Sequence, residues 1–320
     1  LSIKSKIRIG VVGVGYLGRS HAKIFSDPEF SSRENIELVG VSDTEPARAE
    51  EVARQTGSKP FIDYSGLFGK VDAVSIVVPT SHHYKVASDF LNEGVDIFIE
   101  KPIASDLKEA EDIVRTARGK DLILQVGHIE RFNSGYIVLK ELVHRPRFIE
   151  AQRLSPFIDR GTDVDVTLDL MIHDIDIVLS LVNSDISEIK ALGMPILTPR
   201  IDVANARIEF KNGCVANLTA SRIYHGKTRR IRIFEEGTYL SLDYQTGEIT
   251  AHRKISKDGR STLDISHLRP EKGDPLREEL KAFIKSVREG SEPIVSGKAG
   301  TEALKVALKV SEIIKGEANI

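Results

Sequence analysis

The chain has 320 residues, 41% apolar and 29% charged, with 45 Lys and Arg against 47 Asp and Glu for a formal net charge of -2. At roughly 150 residues per domain, this length suggests two domains whose cores need neither disulfides nor metal staples. Near-balanced charge leaves no global field for nucleic acid or an anionic membrane, and the single cysteine, Cys214, excludes an internal disulfide or a Cys-rich zinc site.

One cysteine also fits a reducing compartment. No run reaches the roughly 18 apolar residues that span a bilayer. No signal-peptide pattern stands at the N-terminus, where Lys6 to Val12 already reads as a strand. The expectation is a cytoplasmic protein with no nucleic-acid or membrane partner and no metal.

Through the first 125 residues, short apolar runs alternate with amphipathic stretches. The runs at Ile7–Val12, 38–41, 73–78, 97–99 and 122–126 are nearly continuous in Val, Ile and Leu, as strands covered on both faces are. Helices are predicted between them at 17–25, 45–55, 84–92 and 107–117, and Ser105-Asp106 supplies oxygens to cap the last. Strand–helix alternation of this kind means βαβ units and a parallel sheet.

Beyond residue 130 the rhythm changes. Predicted helices at 135–143 and 164–182 precede strands at 188–192, 203–210, 215–222, 231–234, 239–242 and 248–251. Asn212-Gly213 marks a two-residue hairpin turn between two of them. Helices at 275–289 and 301–315 close the chain. The expected fold class is therefore α/β: an N-terminal Rossmann doubly wound parallel sheet over residues 1–127, then a C-terminal α+β domain with an open, largely antiparallel sheet over 128–320.

After the first strand, Gly13, Gly15 and Gly18 form a G-x-G-x-x-G loop. The first glycine permits a tight turn, the second a close approach to a pyrophosphate, and the third close helix–sheet packing. The following helix start offers amides and partial positive charge to phosphates. The motif alone is weak, but here a strand precedes it and a helix follows. Asp43 ends the second strand, where a carboxylate accepts hydrogen bonds from the adenosine ribose and repels a 2′-phosphate. NAD is expected over NADP, with Thr44 and Arg48 left as groups able to meet a phosphate.

Glu100-Lys101-Pro102 stands at the carboxyl end of a predicted parallel strand, facing the crevice where such sheets bind ligands. A lysine there can stabilise negative charge developing on a substrate oxygen. The loop of Pro79, Thr80, Ser81, His82 and His83 follows the preceding strand and is expected to line the same crevice. In the predicted helix at 164–182, Asp169, His173, Asp176 and Ser180 are spaced i, i+4, i+7 and i+11, one polar stripe on an otherwise apolar helix. Such a stripe faces either internal partners or a wet cleft. A histidine with a carboxylate one turn away suits a general base near neutral pH.

In this order, the glycine loop, Glu100-Lys101-Pro102, the segment Gly-His-Ile-Glu-Arg-Phe-Asn at 127–133 and the Asp169-x-x-x-His173 helix resemble the glucose–fructose oxidoreductase/inositol dehydrogenase (Gfo/Idh/MocA) family. The resemblance covers essentially the whole chain. It implies that Lys101, Asp169 and His173 gather around the substrate carbon and the nicotinamide. Cofactor contacts are expected from Gly13, Gly15, Tyr16, Leu17, Gly18 and Asp43, and from Pro79, Thr80, His83, Glu100 and Lys101. Substrate contacts are expected from Lys101, Arg131, Asn133, Asp169 and His173. The open sheet is expected to form a homodimer or homotetramer interface.

Segments at 127–133, 146–150, 160–165, 168–176 and 204–207 look further like the subgroup of UDP-N-acetylglucosamine 3-dehydrogenases of lipid A diamino-sugar synthesis. That likeness implies a UDP-sugar oxidised at its 3-hydroxyl ahead of an aminotransferase. The alternatives are a dehydrogenase of a free sugar or polyol, an NAD-dependent glycoside hydrolase, and a non-catalytic dinucleotide or sugar-nucleotide sensor, for which a base is superfluous. The basic run 227–232 could help neutralise a diphosphate but reads rather as a solvated or interface strand face, and Cys214 has no evident base.

Overall fold

The structure is a computed structural model describing residues 6–158, 164–257 and 260–318. It divides into two compact units, one of residues 1–128 with 276–301, the other of 129–275 with 302–320. Part of the subgroup segment at 160–165, residues 160–163, lies outside the described residues.

The first unit is a parallel sheet. Its strands are β1 (Ile7–Val12), β2 (Ile36–Ser42), β3 (Lys59–Phe61), β4 (Ala73–Ile76), β5 (Asp96–Glu100) and β6 (Leu124–Gly127), in the order β3-β2-β1-β4-β5-β6. The helices between them are α1 (Tyr16–Ser26), α2 (Pro28–Arg33), α3 (Pro46–Thr56), α4 (His83–Asn92) and α5 (Leu107–Gly119). This is the doubly wound order whose direction reverses between β1 and β4, which opens a crevice at the strands' carboxyl ends. As the Ser105-Asp106 pair predicts, Asp106 caps α5, accepting from the Glu109 amide at 2.9 Å. Helix α8 (Pro275–Glu289) also packs here, far along the chain from the sheet. Its Leu280, Phe283 and Ile284 are buried with Ile9, Val11 and Phe25, and Phe283 meets Phe98 edge-on at 5.8 Å. A single boundary after residue 127 therefore does not describe the division, because this amphipathic helix buries its apolar face on the first sheet.

The second unit carries α6 (Ser134–Leu142), β7 (Phe148–Leu154), a π-helical turn at Thr167–Met171 leading into α7 (Ile172–Leu181), then β8 (Ile186–Met194), β9 (Val203–Phe210), β10 (Val215–Ser221), β11 (Thr228–Glu235), β12 (Thr238–Asp243), β13 (Glu248–Lys257) and β14 (Arg260–Leu268). The last helix, α9 (Gly297–Ala318), lies mostly in this unit. Among the described residues the sheet order is β14-β13-β12-β11-β7-β10-β9-β8, antiparallel except where β7 runs parallel to β10. One face buries Ile149, Leu218, Ile231 and Leu242 with Ile172 and Ile175 of α7 and Val306 of α9. The hairpin expected at Asn212-Gly213 is present but longer. Phe210 donates to the Cys214 carbonyl at 2.9 Å, leaving Lys211, Asn212 and Gly213 in the turn.

Candidate functional site

The glycine loop leaves β1 at the sheet's switch point. Gly13 takes φ +84, and a Cβ there would lie 2.7 Å from the Val77 carbonyl oxygen. A Cβ at Gly18 would lie 1.8 Å from the Gly13 oxygen, so α1 sits where only glycine fits. At Gly15 a Cβ would meet no described atom within 4 Å. The bare backbone there faces open space, and as N-cap of α1 Gly15 makes no side-chain cap. These features fit a dinucleotide's phosphates: two glycines shape the turn, and the third leaves its approach clear. Tyr16 is exposed at the head of α1, with Leu17 half-buried beside it.

Asp43 is buried, not a surface carboxylate. It accepts from the Val14 amide at 3.0 Å and the Glu45 amide at 3.0 Å. Arg48 donates to both its oxygens, at 3.1 and 3.3 Å, and also pairs with Glu45. Asp43 thus ties the end of β2 to the glycine loop and keeps a guanidinium beside it.

Two buried histidines support the loops after β4 and β5. His21, on α1, lies 2.8 Å from the Ser75 hydroxyl through Nδ1 and 3.4 Å from Glu100 through Nε2. The Glu100 carboxylate rests on Gly127, where a Cβ would be 2.9 Å from Oε1. It also accepts weakly from the Lys101 amide at 3.3 Å. Lys101 is half-buried directly after β5. Pro79 is exposed and Thr80 half-buried in the short turn before α4. His83 is 1% exposed, with Nδ1 2.8 Å from the Pro102 carbonyl oxygen and Nε2 2.9 Å from that of Val78. Both ring nitrogens are engaged by these carbonyls. The residue's place is under the loops.

In the second unit the polar stripe splits. Asp176 is buried and accepts from Arg131 at 2.6 and 2.9 Å, and Ser180 meets the Tyr136 hydroxyl at 2.5 Å. Asp169 and His173 stay partly exposed. Asp169 lies within the π-helical turn, which interrupts the 3.6-residue phase that a single stripe requires. Arg131 is thus paired internally. Asn133 caps α6, accepting from the Gly135 and Tyr136 amides at 3.0 and 3.4 Å and donating to the Tyr244 carbonyl at 3.3 Å. Both expected substrate contacts have structural work in this unit.

Sequence reasoning also missed a cluster beneath α7. Arg153, on the inward face of β7, donates to Asp174 at 3.0 and 2.8 Å and to Glu130 at 2.7 Å. Burial opposes the arginine's charge, but the two carboxylates outweigh it and hold its pKa above the ordinary value. The basic run divides by strand alternation. Arg230 and Arg232 pair with Asp243 and Glu150 at 3.5 and 3.4 Å, while Arg229 approaches Glu130 at 4.0 Å from the other face. Cys214 is buried and its thiol is pushed up to about 11 by burial, so it carries no thiolate at neutral pH.

No helix among the described residues is long and apolar enough to cross a membrane. Residues 7–128 match the family model described as the oxidoreductase family NAD-binding Rossmann fold, and residues 158–312 match its C-terminal alpha/beta domain. The UDP-N-acetylglucosamine 3-dehydrogenase of Acidithiobacillus ferrooxidans is 36% identical over 311 residues, covering 95% of this chain and 96% of its own. Its solved structure is similar at a TM-score of 0.89, with 35% identity over 97% of this chain and 98% of that one. The myo-inositol 2-dehydrogenase of Thermotoga maritima is 26% identical over 98% of both chains. A scyllo-inositol dehydrogenase from Lactobacillus casei, solved with NAD(H) and scyllo-inositol bound, shares the fold at a TM-score of 0.80 and 22% identity, each chain covered to 98%. With both family models matched in order and a relative aligned along nearly the whole length at 36% identity, this chain belongs to the Gfo/Idh/MocA oxidoreductase family.

Proposed function

We propose that this protein oxidises the 3-hydroxyl of UDP-N-acetylglucosamine, or of a related UDP-hexosamine, with NAD as the cofactor. The observation that carries the substrate is the 36% identity to a UDP-N-acetylglucosamine 3-dehydrogenase over 95% of the chain. The named inositol dehydrogenases from Thermotoga maritima and Bacillus subtilis stand at 26% and 28%. A polyol dehydrogenase is accordingly the second reading.

In this reading Gly13, Gly15 and Gly18 shape the phosphate loop, with Tyr16, Leu17, Pro79 and Thr80 beside it, and Asp43 receives the ribose hydroxyls. Bound NAD supplies the hydride acceptor. His173 takes the hydroxyl proton, Asp169 orients that ring, and Lys101 stabilises the developing alkoxide. The uridine diphosphate adds remote binding energy that positions the reacting carbon, so free N-acetylglucosamine reacts with lower kcat as well as poorer KM. The ketone product suits an aminotransferase. The outward face of the eight-stranded sheet, with exposed Leu192, Met194, Leu263 and Ile265, is the surface proposed for a homodimer or homotetramer.

The test is turnover with NAD while an aminotransferase and an amino donor trap the ketone. Trapped product from UDP-N-acetylglucosamine is expected. Rapid turnover of myo-inositol, with no binding of the UDP-sugar, overturns the substrate and leaves the polyol reading. Stoichiometric NADH release separates either from a hydrolase that recycles its cofactor, and from a sensor.

A further inference from the structure

Two loops leave adjacent strands at the crevice of the first sheet. One follows β4 and includes Val78; the other follows β5 and carries Lys101. The His83 ring lies between them, with Nδ1 2.8 Å from the Pro102 oxygen and Nε2 2.9 Å from the Val78 oxygen. A carbonyl oxygen only accepts, so each contact binds only if that ring nitrogen carries a proton. The surroundings are dry, as His83 is 1% exposed and Pro102, Ile103 and Ala104 are buried. A carbonyl stripped of its donor there is costly, and the chain's easiest relief is to move the turn.

We propose that His83 is a positioning residue for Lys101: by donating from Nδ1 to the Pro102 carbonyl, it fixes the turn that aims the lysine into the crevice. The role rests on the assignment of Lys101 to the chemistry. His83 itself touches neither substrate nor cofactor. Burial favours the neutral ring, while the two carbonyls and the nearby Glu100 carboxylate favour the charged one. In either form the proposal requires the proton on Nδ1.

Two variants separate the two contacts. An asparagine amide nitrogen occupies the place of Nδ1, and a glutamine amide nitrogen that of Nε2. His83→Asn therefore keeps the donor toward Pro102, and His83→Gln keeps only the one toward Val78. In NAD-bound protein, His83→Gln is expected to speed hydrogen exchange across residues 101–104 and to lower kcat by about ten-fold or more, since small misplacements of a reacting group are expensive. KM for NAD should stay within about two-fold, because the glycine loop is untouched. His83→Asn should restore both readouts toward wild type. Equal behaviour of the two variants overturns the proposal, as does a shift in NAD affinity without a loss in kcat.

Hydrogen exchange needs no substrate, so it separates failure of this proposal from failure of the functional reading, which wild-type turnover tests. Should neither variant fold, long-range proton–nitrogen NMR of the wild-type histidines decides: a His83 Nδ1 without a proton overturns the proposal.

Discussion

The two units use many of their buried polar side chains differently. In the first unit several of them hold backbone: Asp43 takes the Val14 and Glu45 amides, Asp96 the Ile123 amide at 2.8 Å, and Gln125 donates to the Glu279 carbonyl at 3.0 Å, while His21 meets the Ser75 and Glu100 side chains and Arg48 pairs with Asp43. In the second they hold one another, as in Arg131–Asp176 and Arg153 with Glu130 and Asp174. Backbone is held there too: Asp202 takes three amides from Ile196, Leu197 and Thr198, Asp165 the Ile201 amide at 3.2 Å, and Arg222 donates to the Val164 carbonyl at 2.7 Å. The contrast suits the work proposed for each unit. A loop that wraps a cofactor needs its backbone fixed and its N–H groups aimed, whereas a helix that presents a base needs a stiff platform.

The contrast sets the scale of substitution effects, and the largest is expected beneath α7. Arg153→Met leaves Glu130 and Asp174 buried with only the more distant Arg229 as counter-charge and should cost about 3–5 kcal/mol. Urea unfolding measures it, and a loss below 1 kcal/mol, roughly a surface pair's worth, would remove the distinction between the units.

Next come Lys101→Ala and His173→Ala. Each should lower kcat by about 10²-fold or more, with NAD affinity and melting temperature close to wild type. Near-normal turnover in either variant would falsify the corresponding assignment.

Asp43→Asn tests the backbone-holding role directly. The amide oxygen can still accept from Val14, but one charged acceptor is gone, so NAD affinity should fall by about ten-fold. Titration with NAD and NADP also sharpens the cofactor choice: tighter NADP binding by the wild type would assign the ribose end to Arg48 instead.

The effect furthest from the chemistry concerns pH. Burial, with a lesser push from the Asp72 charge, raises Asp96 from its ordinary 3.8 to about 6, against the pull of the Ile123 amide. The folded state therefore keeps this proton through a window where the unfolded chain has released it. The stability contributed is present below about pH 4 and is lost as pH rises to about 6. Asp96→Asn keeps an acceptor for Ile123 and should flatten that slope, leaving the variant more stable at pH 7 in thermal melts. An unchanged slope would mean that Asp96 ionises normally in the fold.

Much of the first unit was legible in local pattern. Its apolar runs, the G-x-G-x-x-G spacing and Asp43 lie within single βαβ units, where periodicity and turn chemistry speak for themselves. The second unit yielded less. Strand β7 was not predicted, because Phe-Ile-Glu-Ala-Gln-Arg-Leu places Arg153 at an inward position, which reads as a break in the apolar face. Strand β14 was missed as well; its side chains are mostly exposed, so it lacks the apolar alternation of a half-buried strand. The polar helix was found, but the π-helical turn that holds Asp169 and parts it from the α-helical register of His173, Asp176 and Ser180 has no signature in residue spacing.

Fold class, glycine loop and family are all readable along the chain, since each rests on contacts between near neighbours or on motifs in fixed order. Which partner each buried polar residue takes depends on the packed fold. Arg131 and Asp176 are 45 positions apart, His83 and Pro102 are 19, and Arg153 meets Asp174 across 21. A buried polar group takes whichever partner the fold brings within hydrogen-bond reach, and that partner cannot be read from its own surroundings in the chain.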